Sequence, residues 1–123
     1  MSVFASFAED LAQPEYLHVL LNPLPIYGLL MGILGLLTSL IFFRKSRPAR
    51  IISLMIIGIS AASVWPVIHY GENGYDRVLA MSNTEGVDWL KAHAERADRV
   101  APLYYVLAAV SLRGCTESKK YWE

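Results

Sequence analysis

Three histidines are the side chains in this sequence whose chemistry best suits the binding of a cofactor or a metal ion. Imidazole is the commonest metal ligand in proteins and the axial ligand of many haems. We expect His18 and His93 to bind a cofactor, either haem or a transition metal, with His69 as a further metal ligand and Glu72 as an oxygen ligand. Histidine is also an ordinary residue at a membrane interface, and spacing alone specifies neither ligand number nor geometry.

Other patterns of reactive residues in the sequence are incomplete. The pair Glu15-x-x-His18 has the spacing found in di-iron carboxylate bundles, which need a second such pair and two further glutamates. Cys115 is the single cysteine, so an intrachain disulfide and a thiolate-only metal site are both excluded. Neither a phosphate-binding glycine loop nor a Ser/His/Asp set is present, which favours a non-catalytic protein.

Two long apolar stretches, residues 19–43 and 51–68, are the elements that must position these histidines. Neither contains Asp, Glu, Lys or Arg, and a bilayer core of about 30 Å needs roughly 20 apolar helical residues. We therefore predict transmembrane helices over about 23–43 and 51–69. Asn22 is the expected N-cap of the first, with Pro23 at its first position, and Pro66 is expected to bend or end the second.

A third, shorter span is predicted over about 97–114. Ser82 and Glu85 fit a capping box that opens an amphipathic helix, which leads into this span after an outer loop at 70–96. Within the loop, Asn73–Gly74 predicts a turn. Glu95 and Arg99 are spaced to form an i, i+4 ion pair. The apolar part, 100–112, is 13 residues long and the polar tail 113–123 follows it, so this span is short.

Small residues recur along one face of the first predicted span. Such stripes let helix backbones approach closely inside a membrane, where lipid provides no hydrophobic drive for association. The resulting fold is an all-α integral membrane bundle of three transmembrane helices plus an amphipathic outer helix. The stripe consists of Gly28, Gly32, Gly35 and Ser39, and a matching stripe on the second span consists of Gly58, Ala62 and Trp65.

The short basic loop 44–50 gives the predicted orientation. It contains four of the eleven Lys and Arg residues, and cationic loops stay on the cytoplasmic side. This predicts a multi-pass protein of a bacterial inner membrane with its N-terminus outside, its C-terminus cytoplasmic, and all three histidines towards the outer face. The chain is 54% hydrophobic and has zero net charge, which argues against nucleic acid as a partner.

The segment His18-Val-Leu-Leu-Asn-Pro-Leu-Pro25 resembles the H-P-x-x-V-H-F-P opening of a bacterial family of small four-helix membrane domains of unknown function. Gly71-Glu72 after the second span and His93 before the third also resemble the pattern of that family. The resemblance implies a helical membrane fold. Pro23 stands where the family usually has its second histidine, and the polar tail after Leu112 stands where its fourth helix would be.

The function expected from these features is that of a structural or accessory membrane subunit. Its expected partners are the lipid bilayer and either a second copy of the chain or another membrane protein. The alternative is a haem- or metal-binding redox membrane protein with histidine ligands at the outer face.

Overall fold

The computed structural model describes residues 3–120, and over that range the chain is helical with no β-strand. A π-helical segment, Leu24–Gly28, lies between the second and third α-helices. The six α-helices of the described range are α1 (Val3–Leu11), α2 (Pro14–Leu21), α3 (Leu29–Phe42), α4 (Arg47–Ala62), α5 (Val64–Met81) and α6 (Thr84–Lys120).

The predicted helix start at Asn22–Pro23 is wrong, because α2 begins at Pro14 and the helical backbone continues to Phe42. Asn22 has helical angles (φ −53°, ψ −35°), and its N–H donates to the carbonyl of His18 at 2.9 Å. Pro23 and Pro25 have no N–H to donate, and the wider hydrogen-bonding pattern of the π-helical segment accommodates them. The two prolines therefore lie inside a helix rather than at its beginning.

The second apolar stretch is interrupted near Pro66, as predicted. α4 ends at Ala62 and α5 begins at Val64, with Ser63 between them. The turn predicted at Asn73–Gly74 is wrong, since both residues lie inside α5. Gly74 is buried there against α2, so helix packing prevails over the local turn preference.

The third helical stretch begins one residue later than the capping box predicts. Asn83 Oδ1 accepts the N–H of Gly86 at 2.8 Å, so Asn83 is the cap, whereas Ser82 Oγ donates to the carbonyl of Val78. From Thr84, α6 continues to Lys120 without a break, which confirms that the amphipathic segment runs into the last apolar stretch. The predicted Glu95–Arg99 ion pair is confirmed at 3.5 Å.

The chain divides into two compact units. The first, the histidine unit, consists of the residues up to Asn22 together with Trp65–Ala101. The second, the glycine–serine unit, consists of Pro23–Val64 together with the residues from Pro102 onward.

The glycine stripe of α3 and the π-helical segment packs against α4, inside the glycine–serine unit. A Cβ atom added to Gly32 would lie 2.6 Å from Ile57 Cγ1, and one added to Gly35 would lie 3.0 Å from Ser53 Oγ. The face of α4 that receives the stripe is Ser53, Ile57 and Ser60, so the predicted matching stripe is wrong. Gly58 instead contacts α6, Ala62 is exposed, and Trp65 is 62% exposed.

Within residues 3–120, two helical stretches are long and apolar enough to cross a membrane. They are Pro14–Phe42, with 29 residues and a mean hydropathy of 2.0 over its most apolar window, and Arg47–Met81, with 35 residues and 2.2. The third predicted span, within α6, is not one of these two stretches and stays a prediction.

Candidate functional site

His18 and His93, the two residues predicted to bind a cofactor, lie side by side in the histidine unit. His18 is half-buried on α2 and His93 is exposed on α6. Their ring centroids are 5.9 Å apart and the ring planes are nearly perpendicular, at 87°. Helix packing thus brings together two imidazoles that are 75 positions apart in the sequence.

The His18 ring is held by a hydrogen bond to the backbone of α5. Its Nδ1 lies 2.7 Å from the carbonyl oxygen of Val67. A carbonyl oxygen can only accept, so Nδ1 donates and carries the ring proton. When the ring is neutral, Nε2 keeps a lone pair. Metal-binding histidines are commonly oriented in this way, with one ring N–H donated to a carbonyl and the other nitrogen on the metal.

Two glycines on α5 allow α2 to come this close. A Cβ atom at Gly71 would lie 2.8 Å from His18 Nδ1, and one at Gly74 would lie 3.1 Å from the backbone nitrogen of Glu15. The surface of α5 is therefore flat where α2 crosses it. The sequence contained a signal for this contact, because two glycines spaced i, i+3 lie on the same face of a helix.

An ion pair forms a second contact between α2 and α5. Arg77 Nη1 lies 2.9 Å from Glu15 Oε1 and 3.4 Å from Gln13 Oε1. The Glu15 side chain is 18% exposed and that of Arg77 is 58% exposed. Glu15 Oε2 is buried, and no group of the described residues 3–120 forms a hydrogen bond with it. The pair cannot be predicted from the sequence, since the two residues are 62 positions apart and nothing in the local pattern links them.

The structure gives His69 and Glu72 different surroundings. The His69 ring stacks on Trp65 with centroids 5.3 Å apart and planes within 6° of parallel. Its Nε2 accepts a hydrogen bond from the side-chain amide of Asn73 at 3.2 Å. Glu72 is exposed on α5. Within residues 3–120, no three His, Cys, Asp or Glu side chains are close enough together to hold a metal ion.

His18 Nε2 and the exposed ring of His93 are therefore candidate ligands for a cofactor or metal ion in this unit, and the role predicted for His69 and Glu72 stays a prediction. Two imidazoles can supply two ligands, and further ligands would have to be water or groups of another molecule. No protein-family model, curated protein or solved structure matches this chain. The resemblance of residues 18–25 to the four-helix membrane family thus stays a prediction.

Proposed function

We propose that this chain is a small integral membrane protein with an accessory, non-catalytic role. The observation that carries the proposal is the distribution of side chains in the glycine–serine unit, where small and polar residues face inward and large apolar residues face outward. Soluble proteins place Leu, Ile and Phe inside and leave Ser largely at the surface. Lipid reverses the preference, because apolar side chains cost nothing there and small residues let helices pack.

The exposures support this distribution. Ser39 and Ser53 are only 2% and 5% exposed, whereas Met31 and Ile41 are 63% and 64% exposed. The most apolar window of Pro14–Phe42 is 17% buried and that of Arg47–Met81 is 39% buried. A helix in the core of a soluble protein would be mostly covered by its own chain. These helices need lipid or a partner to cover them.

Packing of α6 against α4 supports a third span. A Cβ atom on Gly58 would lie 3.2 Å from Leu112 Cγ, and Cys115 Sγ lies 3.8 Å from the carbonyl oxygen of Ile51. The numbers rise along α6 as they fall along α4, so the two helices are antiparallel. The outward residues Leu103, Val106 and Val110 are 69%, 63% and 62% exposed. The proposed fold is thus a three-span bundle in which the third span is short.

The proposed orientation places the loop 44–50 in the cytoplasm and the N-terminus outside, in a bacterial inner membrane. The cationic loop supports it, because Lys and Arg near a span hold that end on the cytoplasmic side. The absence of Lys and Arg before Arg44 agrees with an outside N-terminus.

Extraction and labelling test this proposal. The protein should stay in the membrane pellet after an alkaline carbonate wash. In a Cys115→Ala background, Lys45→Cys should react with an impermeant maleimide in inside-out vesicles, and Asp10→Cys should react in spheroplasts. Release by carbonate would contradict the membrane assignment, and the opposite labelling pattern would contradict the orientation.

The accessory role has its own test. Crosslinking in the membrane, followed by purification in mild detergent, should give one defined complex, either a homo-oligomer or a complex with a membrane protein at fixed stoichiometry. A monodisperse monomer without a partner would contradict it.

The juxtaposition of His18 and His93 favours one second candidate, a haem- or metal-binding protein. The Val67 carbonyl fixes the proton on Nδ1 of His18 and leaves Nε2 available. Purified protein should then contain stoichiometric metal by elemental analysis, or show a Soret band. The variants His18→Ala and His93→Ala should lose the bound metal or haem. The variant His69→Ala should keep it, because the native His69 ring stacks on Trp65. Metal-free, colourless protein, or equal content in all three variants, would exclude this candidate.

A further inference from the structure

Charge is unevenly distributed over the chain, although its net charge is zero. By sequence, the glycine–serine unit has seven Lys and Arg residues against two Asp and Glu. No acidic residue occurs between Glu15 and Glu72, so the loop 44–50 has no acidic neighbour along the chain. Of the two acids in this unit, Glu117 is paired with Arg113 at 2.9 Å. The loop 44–50 is therefore a stretch of net positive charge in the sequence.

A groove lies beside these cations, at the connection between α3 and α4. It has a volume of about 440 Å³ and is lined by Ile41, Phe42, Phe43, Arg44, Lys45 and Ser46. Among the lining residues Phe42 and Phe43 are exposed, at 75% and 57%, and Arg44 and Lys45 are exposed as well. The lining of the groove therefore combines exposed apolar side chains with exposed cationic ones.

The backbone around the groove is held in place by local hydrogen bonds. Arg50 Nη1 donates to the carbonyl of Arg44 at 2.6 Å, and the N–H of Ser46 donates to the carbonyl of Phe43 at 2.7 Å. The Arg50 side chain thereby binds the loop backbone, whereas Arg44 and Lys45 are exposed at the groove. Ser46 is both a lining residue and the N-cap of α4, so the positive end of the α4 dipole lies at the groove.

We propose that this groove binds an anionic phospholipid, with the headgroup phosphate on Arg44 and Lys45 and the upper acyl chain against Ile41, Phe42 and Phe43. The inference rests on the proposed membrane location. Charge complementarity selects the ligand, because anionic lipids are enriched in the cytoplasmic leaflet and cationic residues next to a span attract them. Exposed phenylalanines beside the cations fit a molecule with a charged head and an apolar tail better than they fit a free anion.

Native mass spectrometry of the detergent-purified chain tests this. Phosphatidylglycerol and phosphatidylcholine with identical acyl chains are the probes, and the wild type should retain phosphatidylglycerol preferentially. Each Lys or Arg near an anionic surface contributes about fivefold in affinity, so Arg44→Gln with Lys45→Gln should lower the preference by about 25-fold. Lys45→Gln alone, an exposed change, should lower it about fivefold. Lys91→Gln with Arg96→Gln is the matched loss of two charges in the histidine unit. This double variant should keep the wild-type preference for phosphatidylglycerol.

The outcomes separate the lipid site from the membrane location. Equal retention of both lipids, or an unchanged preference in the Arg44 and Lys45 variants, overturns the lipid site. Displacement of phosphatidylglycerol by millimolar inorganic phosphate also overturns it, because the groove would then be a site for free anions. A protein that resists carbonate extraction but shows no preference contradicts the lipid site alone. A protein released by carbonate contradicts the membrane location.

Discussion

The Nδ1 atom of His18 donates a hydrogen bond to the carbonyl oxygen of Val67, 49 positions away, at 2.7 Å. This contact ties the ring to α5 and fixes which nitrogen carries the proton. It depends on the bare backbone at Gly71, because any side chain there would meet the imidazole.

Gly71→Ala should break the contact between His18 and Val67. The added methyl group would lie 2.8 Å from His18 Nδ1, so the ring or the helix must move. We expect a loss of about 1–3 kcal/mol in the free energy of unfolding, the usual cost of overpacking. Denaturant unfolding and the imidazole resonances of His18 by NMR are the measurements.

Gly114→Ala is the matched control for that change. The nearest atom to its Cβ would be Leu54 Cδ1 at 3.4 Å, an ordinary contact, so alanine should stabilise α6 by about 0.5–1 kcal/mol. Equal effects of the two substitutions would show that the close approach of α2 to α5 is absent.

Gly32→Ala should loosen the packing of α3 on α4. Its Cβ would lie 2.6 Å from Ile57 Cγ1 and 3.0 Å from the Ile57 backbone nitrogen, and backbone cannot rotate away as a side chain can. We expect a loss of about 1–3 kcal/mol in unfolding free energy, together with faster amide exchange in both helices. If the clash with the Ile57 side chain causes the loss of stability, the double variant Gly32→Ala with Ile57→Ala should lose less than the sum of the two single losses. Additive losses would contradict that cause.

Asn83→Ala should shorten α6 at its beginning. The Asn83 side chain satisfies the N–H of Gly86, and loss of such a cap costs about 1 kcal/mol. Ser82→Ala is the control, since Ser82 Oγ only donates to the carbonyl of Val78 one turn back in α5. Thermal unfolding followed by circular dichroism should separate the two. A larger loss of thermal stability in Ser82→Ala than in Asn83→Ala would contradict the Asn83 cap and support the capping box that the sequence predicts.

Sequence patterns predict what is local in this chain and miss what depends on contacts between distant segments. The helix interruption before Pro66 and the Glu95–Arg99 pair follow from neighbouring residues, and both are present. The Asn73–Gly74 turn is absent because Gly74 lies under α2. Pro23 and Pro25 lie within a helix because a π-helical segment, which has no simple sequence pattern, accommodates them.

The candidate site shows the same division. Topology suggested that His18 and His93 belong together, and the structure places their rings 5.9 Å apart. The sequence could not show that the Val67 carbonyl would orient His18, since every residue offers the same backbone carbonyl as an acceptor. The Glu15–Arg77 pair was missed for a similar reason, because exposed charges have many possible partners.

Glu15 and Arg77 should be energetically coupled. Their 2.9 Å contact involves a carboxylate that is mostly covered, and Glu15→Gln leaves the Arg77 guanidinium without its charged acceptor. In a double-mutant cycle with Glu15→Gln and Arg77→Gln, the coupling should favour the native pair at low ionic strength and shrink in molar salt. The Arg99–Glu95 pair, with both side chains at least 69% exposed, is the control and should show weaker coupling. Coupling of equal size in both pairs would contradict a special role for burial at Glu15.

Cys115 should report directly on the packing of α6 against α4. Cys115 is 8% exposed, and its Sγ lies 3.8 Å from the carbonyl oxygen of Ile51, so a thiol reagent can react only when the helices separate. In detergent, N-ethylmaleimide should modify Cys115 about tenfold or more slowly than a cysteine introduced by Thr116→Cys in a Cys115→Ala background. Thr116 is the adjacent residue and is exposed, so the two positions share the same detergent environment. Denaturation in strong detergent should equalise the rates, because the difference arises from helix packing. Equal rates in the folded protein would mean that this part of α6 does not lie against α4, and the proposed three-span bundle would lose its main structural support.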